Sequence, residues 1–217
     1  DEVVEELGKK GIQTIICTPT ACPPAWLVEK YPEILYVDNR GITRPFGGRR
    51  HYCYNNEIYR RYSGRIAEKI TEHYGKNPYV AGFQIDNELA QEGTGRCHCA
   101  VCRKKFQSYM RNKYHTVEEL NRRIGGVFWS GEYSDFSQIE IPVNTIEVGA
   151  TQQIEAFYEN PSVRLDFEIF ADESLREYHD IQKKVMKTYT NKPVTTNATG
   201  LATNSIDYYK GFRDLDV

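Results

Sequence analysis

The feature that most constrains the fold of this chain is an almost continuously apolar stretch, residues 80–85, that ends in Asp86, Asn87 and Glu88. Its β-forming composition and the proline shortly before it predict a buried strand. Strands that are apolar on both faces are typical of parallel sheets covered on both sides. In barrels and open α/β sheets, reactive side chains lie beyond the C-terminal ends of the strands. Asn87 and Glu88 are therefore the first candidates for a functional site, although a carboxylate at this position can also cap the next segment or lie in solvent.

Helix and strand patterns alternate along the rest of the chain. The spacing of apolar residues predicts helices over residues 1–10, 25–30, 59–74 and 103–114, one that Thr116 caps, a long one from Asn160 to the break at Pro193, and one over 206–212. Apolar β-branched runs predict a buried strand over residues 12–17 and a short one over 194–197, with a further strand beginning at Asp216. Elements that alternate in this way indicate βα units and a parallel sheet. A complete eightfold barrel takes about 250 residues, so the 217 residues here are expected to form the middle of one.

Two stretches have no clear periodicity. Residues 31–56 are unusually long for a loop between a strand and a helix, and long ordered loops on a rigid scaffold tend to be functional. Residues 125–160 carry glycine and proline turns and are interpreted, together with the cysteine-rich segment before them, as an excursion from the scaffold. We place the limits of this excursion at residues 91–160.

The composition is that of an ordinary globular protein and excludes several classes of function. The formal net charge is −2, so the chain offers no basic surface for nucleic acid or for an anionic membrane. No apolar run has the length of a membrane span, and the acidic N-terminus is unlike a signal peptide. The first residue is not Met, and the chain opens directly into a helical pattern, as if within a longer protein. We expect a cytoplasmic protein.

The six cysteines are not spaced like a disulfide framework. Cys97, Cys99 and Cys102 lie within six residues and Cys53 lies well upstream, which is a pattern typical of metal sites. Four thiolates in a tetrahedral arrangement suit Zn²⁺, and a shell closed by four sulfurs makes the metal structural, because no position is left for water. Free thiols and disulfides are the alternatives, but a bridge between Cys97 and Cys99 would be strained.

The other side chains near this cluster have simpler interpretations. His98 lies between two of the candidate ligands and is expected to point away from the metal and to be exposed. Cys17 is interpreted as a buried thiol of the first strand, and Cys22 as a thiol of the following loop. The metal would fasten the loop 42–56 against the segment that follows Glu88.

Four motifs that occur in a fixed order carry a resemblance to a known family. They are TPTACPPAWL at residues 18–27, GGRRHYC at 47–53, DNE at 86–88 and CHCAVC at 97–102. Together they resemble family 42 of the glycoside hydrolases, the β-galactosidases, over the whole chain. Cys22, where Ser or Arg is expected, and Tyr54, where Pro is usual, depart from the family pattern but do not touch the chemistry.

The resemblance implies an α/β fold, a partial (β/α)8 TIM barrel. This chain would supply about strands three to five with their helices and would carry the zinc-binding excursion. Residues 1–217 would then be part of a single catalytic domain that is incomplete at both ends. The parent protein would be a homotrimer, as is frequent in the family.

The resemblance also implies a reaction and the residues that perform it. The family hydrolyses terminal β-D-galactosyl residues with retention, which needs two carboxyl groups about 5–5.5 Å apart. Glu88 would be the general acid/base, Asn87 would bind the sugar 2-hydroxyl, and Arg49 would bind substrate through its guanidinium donors. The nucleophile would be a glutamate beyond Val217, so this chain alone is predicted not to hydrolyse galactosides.

Each of these residues also has a purely structural interpretation. Arg49 would then form a surface salt bridge, and Asn87 would stabilise a turn. Glu168, Glu173 and Glu177 lie on a predicted helix, where a solvated face explains them better than catalysis does. For the whole protein, the alternative is a non-catalytic carbohydrate-binding or scaffolding protein on the same barrel. A zinc-ribbon module that binds nucleic acid is excluded by the acidic charge balance.

Overall fold

A three-stranded parallel sheet organises the chain. The computed structural model describes residues 1–91, 94–143, 159–198, 206–213 and 215–216. The strands are β1, Thr14–Cys17; β2, Val80–Gln84; and β3, Val194–Thr195, and they lie side by side in that order. Ile16 is aligned with Phe83, and Phe83 with Val194, so the carboxyl ends of the strands meet at one edge. The prediction of a parallel sheet is confirmed.

Helices connect the strands. Within the described ranges they are α1, Glu2–Lys9; α2, Ala25–Lys30; α3, Glu57–Tyr74; α4, Ala100–Tyr114; α5, Val117–Ile124; α6, Pro161–Lys187; and α7, Tyr208–Phe212, with short 3-10 turns at Pro32–Ile34, Phe128–Ser130 and Phe136–Gln138. The side-chain oxygens of Asn56 and Asn160 accept backbone N–H groups in the first turns of α3 and α6. None of these helices combines the length and the apolar character needed to cross a membrane.

A core rich in tyrosine joins α3 to α6 near the carboxyl edge of the sheet. The rings of Tyr59 and Tyr178 stack with their centroids 6.1 Å apart, and the hydroxyls of Ser63 and Tyr178 are 3.1 Å apart. The Tyr59 hydroxyl donates to the carbonyl of Thr20, just beyond β1, at 2.5 Å. Two long helices therefore hold the edge at which the strands end.

The excursion from the sheet has an apolar core of its own. Its buried members come from the loop before α3, from α4 and the segment just before it, from α5 and the segment after it, and from the start of α6. They include Tyr36, Cys53, Cys97, Cys102, Phe106, Met110, Leu120, Ile139 and Phe167. Three of the four clustered cysteines thus lie inside a packed core. The excursion is folded structure attached to the sheet, and residues 144–158 within it lie outside the described residues.

Gly82 is required by the close approach of neighbouring chains within the sheet. A Cβ at this position would lie 2.8 Å from the carbonyl oxygen of Pro193, which immediately precedes β3. Because backbone atoms in a paired strand cannot move aside easily, only glycine fits in the middle of β2.

The predicted burial of the strand over residues 12–17 is wrong. In the described part of the chain β1 pairs only with β2, and Ile12, Ile15 and Cys17 are exposed, Ile15 by 56%. Pairing on a single edge leaves this apolar strand without cover on part of its surface. Cys17 is therefore an exposed thiol, contrary to the expectation.

The predicted strand at Asp216 is represented in the described residues by two hydrogen bonds between Asp216 and Val194. The backbone N–H of Asp216 donates to the carbonyl of Val194 in β3 at 3.3 Å, and the Asp216 carboxylate accepts the Val194 N–H at 2.8 Å. Asp216 thus lies beside β3, while Val217 lies outside the described residues.

Candidate active site and metal centre

The turn that follows β2 carries Asn87 and Glu88 in a strained backbone. Asp86, Glu88 and Ala90 have positive φ angles of 55°, 50° and 65°. Residues other than glycine pay about 1–3 kcal/mol to occupy such conformations and persist in them only where the surrounding structure holds them. The turn is therefore shaped by its neighbours rather than by local preference.

Asn197, two residues beyond β3, holds this turn from the neighbouring strand. Its Oδ1 accepts the backbone N–H of Glu88 at 2.9 Å, and its Nδ2 donates to Oδ1 of Asn87 at 3.1 Å. Gln84, at the end of β2, donates to the same Asn197 oxygen at 3.0 Å. Asn197 is not among the site residues predicted from the sequence, although a polar residue at the end of a strand parallel to β2 is a signal that could have identified it.

The loop that carries Arg49 is ordered by antiparallel bridges between Leu35 and Tyr52 and between Val37 and Thr43. This loop, residues 31–56, contains a single 3-10 turn and is otherwise irregular, as predicted. The bridges fold it back on itself, so that Arg49 is presented to the turn after β2.

The side chains of Arg49, Asn87 and Glu88 meet at the carboxyl end of β2. Oε2 of Glu88 accepts hydrogen bonds from Nη2 of Arg49 and from Nδ2 of Asn87, both at 3.2 Å. The side chain of Glu88 is 32% exposed and that of Arg49 is 42% exposed, so an incoming molecule can reach both groups. The three residues singled out from the sequence form one open polar cluster, and Arg49 does form a salt bridge, with Glu88.

Asp86 lies directly beneath this cluster and is fully buried. Its Oδ2 accepts from the hydroxyls of Thr20 at 2.9 Å and Tyr52 at 3.1 Å, and its Oδ1 faces Nη1 of Arg50 at 3.4 Å. Burial, reinforced by the charge of Asp86, raises the pKa of Tyr52 well above its ordinary value, so the hydroxyl stays a proton donor. Asp86 is not among the site residues predicted from the sequence, because three polar residues after a strand do not reveal which of them is buried.

Two of the three glutamates of α6, Glu168 and Glu177, pair with arginines of other elements. Oε2 of Glu168 lies 2.5 Å from Nε of the buried Arg96, and Glu177 pairs with Arg60 at 3.1 Å. The expectation of a solvated face is wrong for Glu168, whose side chain is only 15% exposed, because a buried guanidinium needs a carboxylate partner. Glu177 is exposed, as expected.

The four clustered cysteines form a candidate metal centre. The sulfurs of Cys53, Cys97, Cys99 and Cys102 all lie within 4.8 Å of one another, with Cys53 3.4 Å from Cys102 and 3.5 Å from Cys99. Four thiolates around one tetrahedral zinc, with Zn–S bonds of about 2.3 Å, would lie about 3.8 Å apart. The donor set therefore fits a single tetrahedral metal ion.

The thiols of the cluster perturb one another's acidity. Hydrogen bonds with Cys102, Cys53 and Cys97 hold the pKa of Cys99 far below its ordinary value. Hydrogen bonds with Cys53, Cys97 and Cys99, together with burial, raise the pKa of Cys102 well above its ordinary value. A bound cation would allow all four sulfurs to ionise.

His98 is half-buried, and the expectation that it would be exposed is wrong. Its backbone N–H donates to the carbonyl of Val37 at 2.9 Å, and its ring lies 5.8 Å from that of Phe167. Burial lowers the pKa of His98 to about 4. Its Nε2 is buried without a hydrogen-bond partner in the described part of the chain. Cys22 is a loop thiol, as predicted, and it is exposed.

Comparisons with known proteins agree along the whole chain. A family model described as "Beta-galactosidase" matches residues 1–217. The chain is 39% identical over 217 residues to a β-galactosidase of Thermus thermophilus and 38% identical to β-galactosidase BgaA of a Thermus species; in each case the match covers 100% of this chain and 32% of the relative. The chain thus spans about a third of the length of these relatives.

Solved structures give the same picture for the fold. The crystal structure of a β-galactosidase from the psychrophilic Marinomonas ef1 matches with a TM-score of 0.90 at 34% identity, over 100% of this chain and 32% of that one. The β-galactosidase of Halorubrum lacusprofundi matches with a TM-score of 0.89 at 35% identity, over 100% of this chain and 31% of that one.

Proposed function

This chain belongs to the β-galactosidases of glycoside hydrolase family 42, and we propose that it supplies the acid/base half of the active site of a retaining β-galactosidase. The substrates would be compounds with terminal β-D-galactosyl residues. One observation carries the proposal: the carboxylate of Glu88 lies open at the carboxyl end of β2, with Asn87 and Arg49 both hydrogen-bonded to it at 3.2 Å. A carboxylate with these partners at a strand end suits glycoside chemistry.

Glu88 would act twice in the reaction. As an acid it protonates the glycosidic oxygen while the nucleophile attacks the anomeric carbon, and as a base it later takes a proton from the water that releases the sugar. The nucleophile would be a glutamate of the part of the protein that follows Val217. In this chain Glu168 and Glu177 are unsuited to the role, because arginines of other elements engage them.

Asn87 and Arg49 would bind the sugar. Because Asn197 donates to Oδ1 of Asn87, the Nδ2 group is left to face Glu88 or a hydroxyl of the substrate. A hydrogen bond from Asn87 to the 2-hydroxyl would strengthen as the ring approaches an oxocarbenium ion. Arg49 offers several fixed donors from a partly exposed side chain.

The metal centre would hold zinc in a structural role. Cys53, Cys97, Cys99 and Cys102 would occupy all four positions of a tetrahedral ion, which leaves none for water or substrate. A bound zinc would offset part of the negative charge of the four thiolates and would cross-link the chain. The cross-link would join the loop that carries Arg49 to the start of α4, and so would keep the substrate-binding arginine in place.

The chain would form part of a larger assembly. We place β1, β2 and β3 as strands three, four and five of a TIM barrel, with residues 91–160 as the excursion that holds the zinc. Residues 1–217 would be one part of that catalytic domain. For the parent protein we propose a homotrimer in the cytoplasm.

The decisive experiment uses the full-length parent protein and nitrophenyl β-galactoside. Glu88→Gln should lower kcat/KM for lactose by about 10²- to 10⁴-fold, because the general acid is lost, and should lower it less for the activated nitrophenyl substrate. For Glu88→Ala, added azide should restore turnover and release β-galactosyl azide. Glu29→Gln, at an exposed carboxylate of α2, is the control and should leave the kinetics unchanged.

Two results would contradict the proposal. A Glu88→Gln variant with wild-type activity on lactose would remove Glu88 from the acid/base role. A wild-type parent that binds galactosides without releasing nitrophenol would favour the non-catalytic carbohydrate-binding alternative.

A further inference from the structure

We infer that the buried ion pair between Asp86 and Arg50 is a positioning device for the reaction: it sets the placement of Arg49 relative to Glu88. The inference rests on the proposed function, and it assigns a role to two residues that do not face the substrate side of the cluster. Neither residue is a catalytic residue in this account, because each acts through its chain neighbours.

Arg50 lies inside the fold while its neighbour Arg49 points out of it. The side chain of Arg50 is 1% exposed and that of Arg49 is 42% exposed. Arg50 has a φ of 55°, and its backbone N–H donates to the carbonyl of Ala21 at 2.8 Å. An arginine in this left-handed conformation has to be held, and the conformation turns successive side chains to opposite sides of the loop.

The guanidinium of Arg50 depends on Asp86. Its Nη1 lies 3.4 Å from Oδ1 of Asp86, whereas its Nε and Nη2 are buried without a hydrogen-bond partner in the described part of the chain. A buried cation with few acceptors relies heavily on the one carboxylate it faces. The position of Arg50, and with it the backbone of Arg49, is therefore tied to Asp86.

Asp86 in turn fixes the backbone that leads to Glu88. Its carboxylate accepts the backbone N–H of Asn87 at 2.7 Å, and its own backbone N–H donates to the hydroxyl of Thr18 at 2.8 Å. The φ of 55° at Asp86 starts the strained turn that presents Asn87 and Glu88. The Asp86 carboxylate thus contacts both the turn that carries Glu88 and the Arg50 side chain of the loop that carries Arg49.

The two strained segments contact each other twice, first in the buried Asp86–Arg50 pair and again at the surface. One chain leads from Asp86 through Asn87 to Glu88, and the other from Arg50 back to Arg49. They meet a second time where Nη2 of Arg49 lies 3.2 Å from Oε2 of Glu88. A change in the buried contact is thereby transmitted to the exposed one, and misplacement of reacting groups by about 1 Å can cost about 100-fold in rate.

The test is a double-mutant cycle in the full-length parent protein. Asp86→Asn keeps the shape of the side chain and removes its charge; we expect kcat/KM for a galactoside to fall about 10- to 100-fold, with a shift of the pH–rate profile. Arg49→Ala removes the side chain whose placement relative to Glu88 the buried pair is inferred to set. In the Arg49→Ala background, Asp86→Asn should therefore cost much less than it does alone.

A matched control separates positioning from stability. Asp166 is also a buried carboxylate that pairs with a lysine, Lys113, and accepts from a tyrosine hydroxyl, that of Tyr114 at 2.6 Å. Asp166→Asn should lower the temperature of unfolding but leave kcat, KM and the pH profile unchanged. If Asp86→Asn does not fold, Tyr52→Phe is the substitute, because it removes one donor to Asp86. It should lower kcat/KM by a smaller factor and also shift the pH–rate profile.

The outcomes are distinguishable. If the wild type is active, two results would overturn the inference and leave the proposed function standing. One is additive effects of Asp86→Asn and Arg49→Ala. The other is wild-type kcat, KM and pH profile in both Asp86→Asn and Tyr52→Phe. An inactive wild-type parent would overturn the proposed function and the role of the pair together.

Discussion

The side-chain oxygen of Asn197 accepts the backbone N–H of Glu88 at 2.9 Å, so the residue proposed as the acid/base is held by the strand next to its own. The same amide donates to Asn87. A strained turn is thereby stabilised from outside, and the placement of both residues depends on the pairing of β2 with β3.

Replacement of Asn197 should impair catalysis more than stability. Asn197→Ala removes the acceptor of the Glu88 N–H and the donor to Asn87, so the turn can relax away from its positive φ angles. We expect kcat/KM of the full-length protein for nitrophenyl β-galactoside to fall by about tenfold or more. Asn191→Ala, at an exposed position before β3, is the control; equal kinetics for the two variants would contradict the prediction.

Removal of the metal should loosen the loop that carries Arg49. The protein is expected to bind one zinc per chain, and Cys53→Ser and Cys99→Ser should each abolish that binding and lower the temperature of unfolding. Elemental analysis and thermal unfolding measure the two effects. Cys17→Ser and Cys22→Ser alter exposed thiols outside the cluster and should change neither. Wild-type zinc content in the Cys53 variant would remove that residue from the ligand set.

Substitution of Glu168 tests whether the proposed nucleophile, the second carboxylate of the reaction, lies outside this chain. Because it pairs with the buried Arg96, Glu168→Gln should destabilise the protein by roughly 2 kcal/mol through the loss of a charged hydrogen bond. Turnover should remain at the wild-type level, since the nucleophile is expected elsewhere. The temperature of unfolding and kcat are measured on the same preparation, and a large loss of kcat without destabilisation would make Glu168 a candidate nucleophile.

Two glycines should respond in opposite directions to the same change. Gly82→Ala would place a Cβ 2.8 Å from the Pro193 carbonyl and should cost about 1–3 kcal/mol. Gly64→Ala on α3 meets only Ile181, at 3.5 Å, and should stabilise the helix by up to about 1 kcal/mol. Thermal unfolding of both variants gives the comparison; a stabilised Gly82 variant would mean that β2 and β3 are not so closely apposed.

The local patterns in the sequence lead to the elements and to part of the candidate site. The apolar run before Asp86 predicts β2, and parallel pairing then brings its polar end to the edge at which β3 also ends. The spacing of Cys97, Cys99 and Cys102 predicts a cluster because ligands so close in sequence have to converge. These inferences need only short-range information.

The contacts that the sequence patterns do not predict have a different origin. The buried Asp86–Arg50 pair, the hold of Asn197 on Glu88 and the pairing of Glu168 with Arg96 each join residues from separate elements. Such contacts depend on how helices and loops pack over the sheet, which no periodicity encodes. Ile15 is exposed because β1 pairs only with β2 among the described residues, and no local pattern encodes how many neighbours a strand has.

The left-handed conformations at Asp86, Glu88 and Ala90 make thermal stability and the proposed chemistry compete at this turn. A glycine in place of Glu88 would suit the torsion angles better but would remove the proposed proton donor. A gain in heat resistance that keeps the proposed chemistry would therefore have to come from substitutions remote from this turn.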